Sequence, residues 1–226
     1  MNIAVIGSGG REHSICFKLK QSKQTNKIFC IPGNAGTSAI AENINIDVLN
    51  FKSISEFLKN NNIKIVFVGP EVPLVKGIKD YLEKKGFFVF GPSKAASRLE
   101  KSKSFTKQLC KKYKIPTAQY KSFSSMKGVK EYIKKMNTPI VIKAYGLASG
   151  KGVFICNYKN EALQKCKEIN QGKFKSSKKF VIEEFLSGEE VSYFVLSDGK
   201  NYKFFGSAQD HKRIGEGDTG PNTGGM

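Results

Sequence analysis

The sequence predicts an α/β chain in two parts: a doubly wound parallel-sheet domain over residues 1–100, then an α+β domain over 101–226. Three observations carry this expectation. Short β-branched runs alternate with helical periodicity through the first hundred residues, glycine or proline closes those runs, and beyond Lys101 the apolar runs fall into hairpin-like spacing. Residues 2–6 (NIAVI) form the first strand, followed by the glycine-rich turn GSGGREH (7–13) and a helical pattern reaching about Lys20. IFCI (28–31), IVFVG (65–69) and FFVFG (87–91) continue the strands, with helical stretches at 53–60 and 74–85 between them. Gly7, Pro32, Gly69-Pro70 and Gly91-Pro92 stand at strand ends, where backbone and ligand approach closely.

The second part opens on KSFTKQLCKKY, read as a helix, and IPTAQY (115–120), read as a turn into a strand. A helix over 125–136 follows, then PIVIKA (139–144), a glycine-rich link, GVFIC (152–156), a helix around 159–168 and KFVIEEFL (179–186). EVSYFVLSDGKNYKFFG (190–206) reads as a hairpin turning at Asp198-Gly199. This half is expected to form a mostly antiparallel sheet with helices.

Composition narrows the function classes. Hydrophobic residues make up 39% of the chain, enough for real cores, and no run of eighteen apolar residues exists to span a membrane. The opening MNIAVIGSGGREHS lacks the basic and long apolar regions of a signal peptide and reads as a strand and turn. Five cysteines, odd in number and without CxxC or a Cys/His pair at ligand spacing, indicate reduced thiols in a cytoplasmic protein. The net charge of +19 admits a solvated surface, attraction of anionic small substrates, or nucleic-acid binding. Only three of the 38 basic residues are arginine (Arg11, Arg98, Arg213), and the lysines are scattered in pairs, which argues against nucleic acid.

Several loops carry candidate chemistry. In GSGGREH, backbone amides at a helix start form an anion site beside Arg11, although such glycines also serve only to let a helix pack. PGNAGT (32–37) and GPEVPLVKG (69–77), the latter bearing Glu71, end strands on the same sheet edge. KAYGLASGKGV (143–153) lies between two β runs. Gly146, Gly150 and Gly152 permit close backbone approach, and Ser149 and Lys151 donate to phosphate oxygens; a flexible turn is the alternative. No Walker loop is present. Lys143 ends the buried-looking strand PIVIK, and an inward lysine needs an anionic partner, for which a bound phosphate is the natural candidate. In VIEEFLSGEEV (181–191), Glu183 and Glu190 suit ligand hydroxyls or amines, while the backbone between them suits a flat base; a solvated acidic turn is the alternative. Lys103, Lys143, the loop and the acidic strand form an ordered set. The stretch GDTGPNTGGM (217–226) has the composition of a binding loop.

These segments, with GPSKAASRLEKSKSFTK and QDHKRIGEGDTGPNTGGM, resemble the phosphoribosylamine–glycine ligase family of ATP-grasp enzymes, in family order along the whole chain. The resemblance implies an N-terminal parallel-sheet pre-ATP-grasp domain followed by a truncated α+β ATP-grasp domain, with an ATP lid at about 120–190. It implies a carbon–nitrogen ligase of purine biosynthesis: ATP, glycine and 5-phosphoribosylamine give glycinamide ribonucleotide, ADP and phosphate through a glycyl phosphate. For ATP it implies Lys103 and Lys143 on the phosphates, a loop containing Gly146, Ser149, Gly150, Lys151 and Gly152 over them, Glu183, Glu184, Phe185 and Leu186 at adenine, and Glu190 on the ribose. For the other substrates it implies Gly9, Gly10, Arg11, Glu12, His13, Asn34, Ala35, Gly36, Thr37 and Glu71, with Asp210, His211, Asp218, Pro221, Asn222, Thr223 and Gly224 bordering the glycine and amine. Two departures stand out. Tyr145 occupies a position that is usually acidic in the family, and the Mg²⁺- or Mn²⁺-binding glutamate and asparagine are expected beyond Met226, which would leave 1–226 inactive alone. A nucleotide-binding module or an inactive ATP-grasp homologue is the alternative.

Overall fold

The structure is a computed structural model that describes residues 1–145, 152–173, 178–211, 213–217 and 219–222, with the backbone alone at 213, 221 and 222. The chain divides into two compact units, Met1–Lys101 and Ser102–Met226.

The first unit is built on five parallel strands: β1 (Asn2–Gly7), β2 (Lys27–Pro32), β3 (Glu42–Asn43), β4 (Ile63–Val68) and β5 (Phe88–Phe90). Their spatial order is β3-β2-β1-β4-β5. Ala4, Val5 and Ile6 of the central strand are fully buried, as expected of a parallel strand covered on both faces. The helices are α1 (Gly10–Lys20), α2 (Ala35–Ser38), α3 (Phe51–Asn60), α4 (Glu71–Lys76), α5 (Ile78–Glu83) and α6 (Arg98–Lys101). In α3, Asn50 caps the start by accepting the Ser53 N–H at 3.1 Å, and Ile54 and Leu58, four apart, are buried against the sheet.

Two expectations need correction here. The helix expected over 74–85 is two helices, α4 and α5, because Gly77 adopts φ +95° and its N–H closes α4 onto the Pro73 and Leu74 carbonyls. The PGNAGT segment is not all loop: Asn34 starts a four-residue helix, accepting the Thr37 N–H at 2.9 Å.

The second unit begins with α7 (Lys103–Lys112), which is separated from α6 where Ser102 leaves helical geometry and accepts the Phe105 N–H at 3.2 Å. Its main sheet is antiparallel, in the order β6 (Tyr120–Phe123), β9 (Phe180–Glu184), β7 (Ile140–Ala144), β8 (Val153–Cys156). Helices α8 (Val129–Lys134) and α9 (Lys159–Asn170) bury Val129, Ile133, Ala162, Cys166 and Ile169 against one face. That face of the sheet presents Phe180, Ile182, Ile140, Ile142 and Ala144. Successive strand side chains alternate, so Val181, Glu183, Val141 and Lys143 point to the opposite face.

Strands β10 (Ser192–Ser197) and β11 (Tyr202–Ala208) form the expected hairpin. Its turn is held by Asp198, whose carboxylate accepts the Asn201 and Lys200 N–H groups at 2.6 and 2.8 Å; these bonds hold its pKa down to about 2. Within the stretch 217–226, expected as a binding loop, Thr219–Asn222 form a short strand, β13, paired antiparallel with β12 (Arg213–Gly215).

Cys16, Cys30, Cys156 and Cys166 are buried, and Cys110 is partly exposed. Burial pushes the Cys156 thiol up to about 11 and Cys166 up to about 12. Because Cys16, Cys30, Cys156 and Cys166 are closed off from reagent, iodoacetamide at pH 8 is expected to label Cys110 in the native protein and spare those four. Mass spectrometry of the labelled peptides checks this, and early labelling of Cys156 or Cys166 would contradict the core described here.

Candidate functional site

In the first unit, sheet order reverses between β1 and β4, so the loops that follow these strands diverge and open a crevice at their C-terminal ends. A cavity of about 410 Å³ occupies this place, lined by Ser8, Gly9, Gly10, Arg11, Pro70 and Glu71 among others. Arg11 donates to the Gly69 carbonyl at 2.6 Å and reaches Glu71 Oε1 at 3.3 Å. Both side chains are well exposed, so this pair contributes less than about 1 kcal/mol to stability and mainly sets the shape and charge of the cavity wall. Gly9 and Gly10, at the start of α1, are exposed there.

Glu12 has a different position from the one its place in the motif implied. It is 4% exposed, and its Oε2 accepts the Gly9 N–H at 2.6 Å, so it occupies one of the amides the sequence offered to a ligand. Its carboxylate fills the space above Gly7 and Gly69. A Cβ on Gly7, where φ is +132°, would lie 2.6 Å from Glu12 Cγ and Cδ, and one on Gly69 would overlap Glu12 Oε1. Thr37 is likewise buried, accepting the Asn34 N–H at 2.7 Å and lying 2.7 Å from Asn43 Oδ1. Asn34 Nδ2 donates to the Ser8 carbonyl at 2.8 Å and so ties the loops after β1 and β2 together. The His13 ring lies where a Cβ on Gly36 would meet it at 2.7 Å, which places His13 and Gly36 in mutual contact; Ala35 is exposed beside them.

In the second unit, the chemistry gathers on the sheet face away from α8 and α9. Register pairs Val141 with Glu183 and Lys143 with Val181, which makes Lys143 and Glu183 diagonal neighbours on that face. Lys143 Nζ lies 2.8 Å from Glu183 Oε2. Lys107, from α7, approaches the same oxygen at 3.4 Å. Two ammoniums and one carboxylate leave the cluster with one net positive charge in a site where Glu183 is 2% exposed. Among the described residues, nothing hydrogen-bonds Glu183 Oε1, although it is fully buried. A buried acceptor in that state calls for a donor.

The remaining predicted nucleotide residues surround this cluster unevenly. Lys103 Nζ reaches the Ala144 carbonyl at 3.3 Å, and buried Gly152 accepts the Ala144 N–H at 2.7 Å. Glu184 turns to the β6 side, where its Oε1 accepts the Gln119 N–H at 2.8 Å. Phe185, Leu186 and Glu190 are exposed beyond the end of β9. Asp210 is partly buried and His211 exposed, both just after β11, and Pro221 and Asn222 lie in β13. Gly146, Ser149, Gly150, Lys151, Asp218, Thr223 and Gly224 lie outside the described residues.

Two features escaped the sequence reading. Lys107 looks like one more surface lysine, yet it stands four residues after Lys103 on one face of α7, and that spacing was the available signal. The Tyr145 hydroxyl lies 2.7 Å from Ser102 Oγ and 3.1 Å from Ser104 Oγ, bonding the end of β7 to the start of α7. Among the described residues, no group of three or more His, Cys, Asp or Glu is placed to hold a metal ion. Among the same residues, no helix is long and apolar enough to cross a membrane.

A parallel α/β unit followed by an antiparallel sheet is the arrangement of an ATP-grasp protein, the class to which the second unit is matched. Residues 101–226 match the family model "Phosphoribosylglycinamide synthetase, ATP-grasp (A) domain", and residues 1–100 match the corresponding "N domain". The chain belongs to the phosphoribosylglycinamide synthetase family. It is 48% identical to phosphoribosylamine–glycine ligase of Mesorhizobium japonicum, over 100% of this chain and 53% of that relative. The Nostoc sp. enzyme of the same name is also 48% identical, over 100% of this chain and 54% of its own length. The chain thus spans about half the length of the curated relatives it matches. The crystal structure of phosphoribosylamine–glycine ligase from Thermotoga maritima superposes with TM-score 0.83 at 34% identity, covering 100% of this chain and 54% of that one. The biotin carboxylase domain of 2-oxoglutarate carboxylase from Hydrogenobacter thermophilus shares the fold alone, with TM-score 0.70 at 18% identity over 91% of this chain and 49% of that one.

Proposed function

We propose that the natural protein ligates glycine to 5-phosphoribosylamine with ATP, and that the sheet face bearing Lys143 and Glu183 holds the nucleotide. The observation that carries this reading is the buried Glu183 carboxylate, with two lysines on one oxygen and no partner among the described residues on the other. A nucleotide complements both ends of that arrangement: its phosphates take the surplus positive charge, and the exocyclic amine of adenine donates to Oε1. Guanine presents a carbonyl at the equivalent ring position and would meet Oε1 with a second acceptor.

In the reaction, a glycine carboxylate oxygen attacks the γ-phosphorus and releases ADP. The amine of phosphoribosylamine then attacks the carbonyl carbon of glycyl phosphate, and inorganic phosphate leaves. Lys143 holds and neutralises phosphate, so catalysis rests on positioning and charge compensation rather than on side-chain acid–base work. Glycyl phosphate hydrolyses readily, which gives water exclusion a direct purpose. Tyr145 supports this by fastening the strand end beside the glycine-rich segment to α7. In the first unit, the exposed start of α1 and Arg11 suit the phosphate of phosphoribosylamine.

The test is an omission series on the full-length protein, with ADP, phosphate and glycinamide ribonucleotide measured together. The reading expects stoichiometric product only when ATP, glycine and phosphoribosylamine are all present. ATP binding with no product under those conditions would favour a nucleotide-holding module without turnover.

A further inference from the structure

We propose that Lys107 is a positioning residue that keeps Glu183 neutralised so that Lys143 is free to engage phosphate; this inference rests on the nucleotide reading above. Lys107 is a charged side chain in a buried place, 9% exposed as a residue. Its Nζ donates to Thr117 Oγ1 at 2.7 Å and to the Ala118 carbonyl at 3.1 Å, and it lies at ion-pair distance from Glu183 Oε2, 3.4 Å away. The Tyr120 ring, on the same face of the sheet, has its centroid 5.5 Å from the ammonium. Lys107 is therefore fixed from several sides. Lys143 is more exposed, with 29% of its side chain open against 11% for Lys107.

This asymmetry separates the two lysines by role. An arriving phosphate competes with Glu183 for the Lys143 ammonium. If Lys143 were the only counter-charge, moving toward phosphate would leave a buried carboxylate unpaired, which is strongly unfavourable. Glu183 would then hold Lys143 back. Lys107 removes that conflict because it remains on Oε2, bound to Thr117 and Ala118, whether or not Lys143 turns away. It acts through Glu183 and Lys143 and needs no contact with the ligand.

The test is ADP affinity measured by calorimetry on the full-length protein and its Lys107→Met, Lys107→Arg, Glu183→Gln and Lys107→Met/Glu183→Gln variants. Coupling between groups in one buried network predicts that Lys107→Met weakens ADP binding by about tenfold or more. Lys107→Arg, which keeps the charge, is expected to stay within about threefold of the parent. The deciding result is the double variant, which removes both charges and is expected to bind ADP as Glu183→Gln alone does. Parental affinity in Lys107→Met, or a double variant whose losses multiply, would overturn the inference while leaving the nucleotide reading intact. If Lys107→Met does not fold, the double variant is still expected to fold and bind; its failure would make Lys107 a purely structural residue. A parent protein that does not bind ADP would overturn the nucleotide reading and this inference together.

Discussion

Methionine at position 143 is expected to weaken ATP binding to the full-length protein by about thirtyfold or more, in line with removal of one partner from a buried charge pair. Two effects add in this variant. The nucleotide loses an ammonium that lies on the open face of the sheet, 2.8 Å from Glu183. The cluster also falls from one net positive charge to none, so the remaining Lys107–Glu183 pair no longer attracts phosphate. Methionine keeps much of the length and apolar stem of lysine, so β7 should remain in place between β9 and β8. Calorimetry checks the affinity, and circular dichroism checks that the sheet persists. An affinity within threefold of the parent would remove Lys143 from the site.

Alanine at Phe180 is expected to destabilise the second unit by about 3–5 kcal/mol, the usual range for an aromatic side chain deleted from a core. Phe180 is fully buried on the helix-covered face, with its ring stacked 5.8 Å from that of Phe123. It also starts β9, the strand that delivers Glu183 three residues later to the opposite face. A cavity there should therefore reduce stability first and nucleotide affinity second, by loosening the register that sets Glu183 beside Lys143. Urea unfolding measures the first effect, and a loss below 1 kcal/mol would contradict the division of this sheet into a packing face and a chemical face.

Much of the architecture was legible in the residues. Ile140, Val141, Ile142 and Lys143 alternate in a way that sends Lys143 to one face and the isoleucines to the other, and this is how the strand lies. The break at Gly77 was hidden because Leu74, Ile78 and Leu82 keep a spacing of four straight across it, so apolar periodicity alone reads as one helix. Strand β3 is only Glu42 and Asn43, too short and too polar to announce itself. At the site, the inward lysine called for an anion and the sequence pointed to phosphate. The structure supplies Glu183, forty residues later, through a pairing that only strand register determines. Glu12 was read with the ligand loop because it follows Gly9, Gly10 and Arg11, whereas packing over Gly7 and Gly69 draws it inside. The i, i+4 spacing from Lys103 singled out Lys107 only weakly, since Lys111 continues the same spacing, and its role emerged when the fold placed Thr117, Ala118 and Glu183 around it.

The most direct test of the central claim, that the Lys143–Glu183 face holds an adenine nucleotide, is a paired calorimetric titration of the full-length protein with ATP and with GTP in magnesium buffer. The account predicts saturable one-site binding of ATP, much weaker binding of GTP, and loss of that preference when Glu183 is replaced by alanine. Equal affinity for the two nucleotides, or an ATP preference that survives Glu183→Ala, would contradict it.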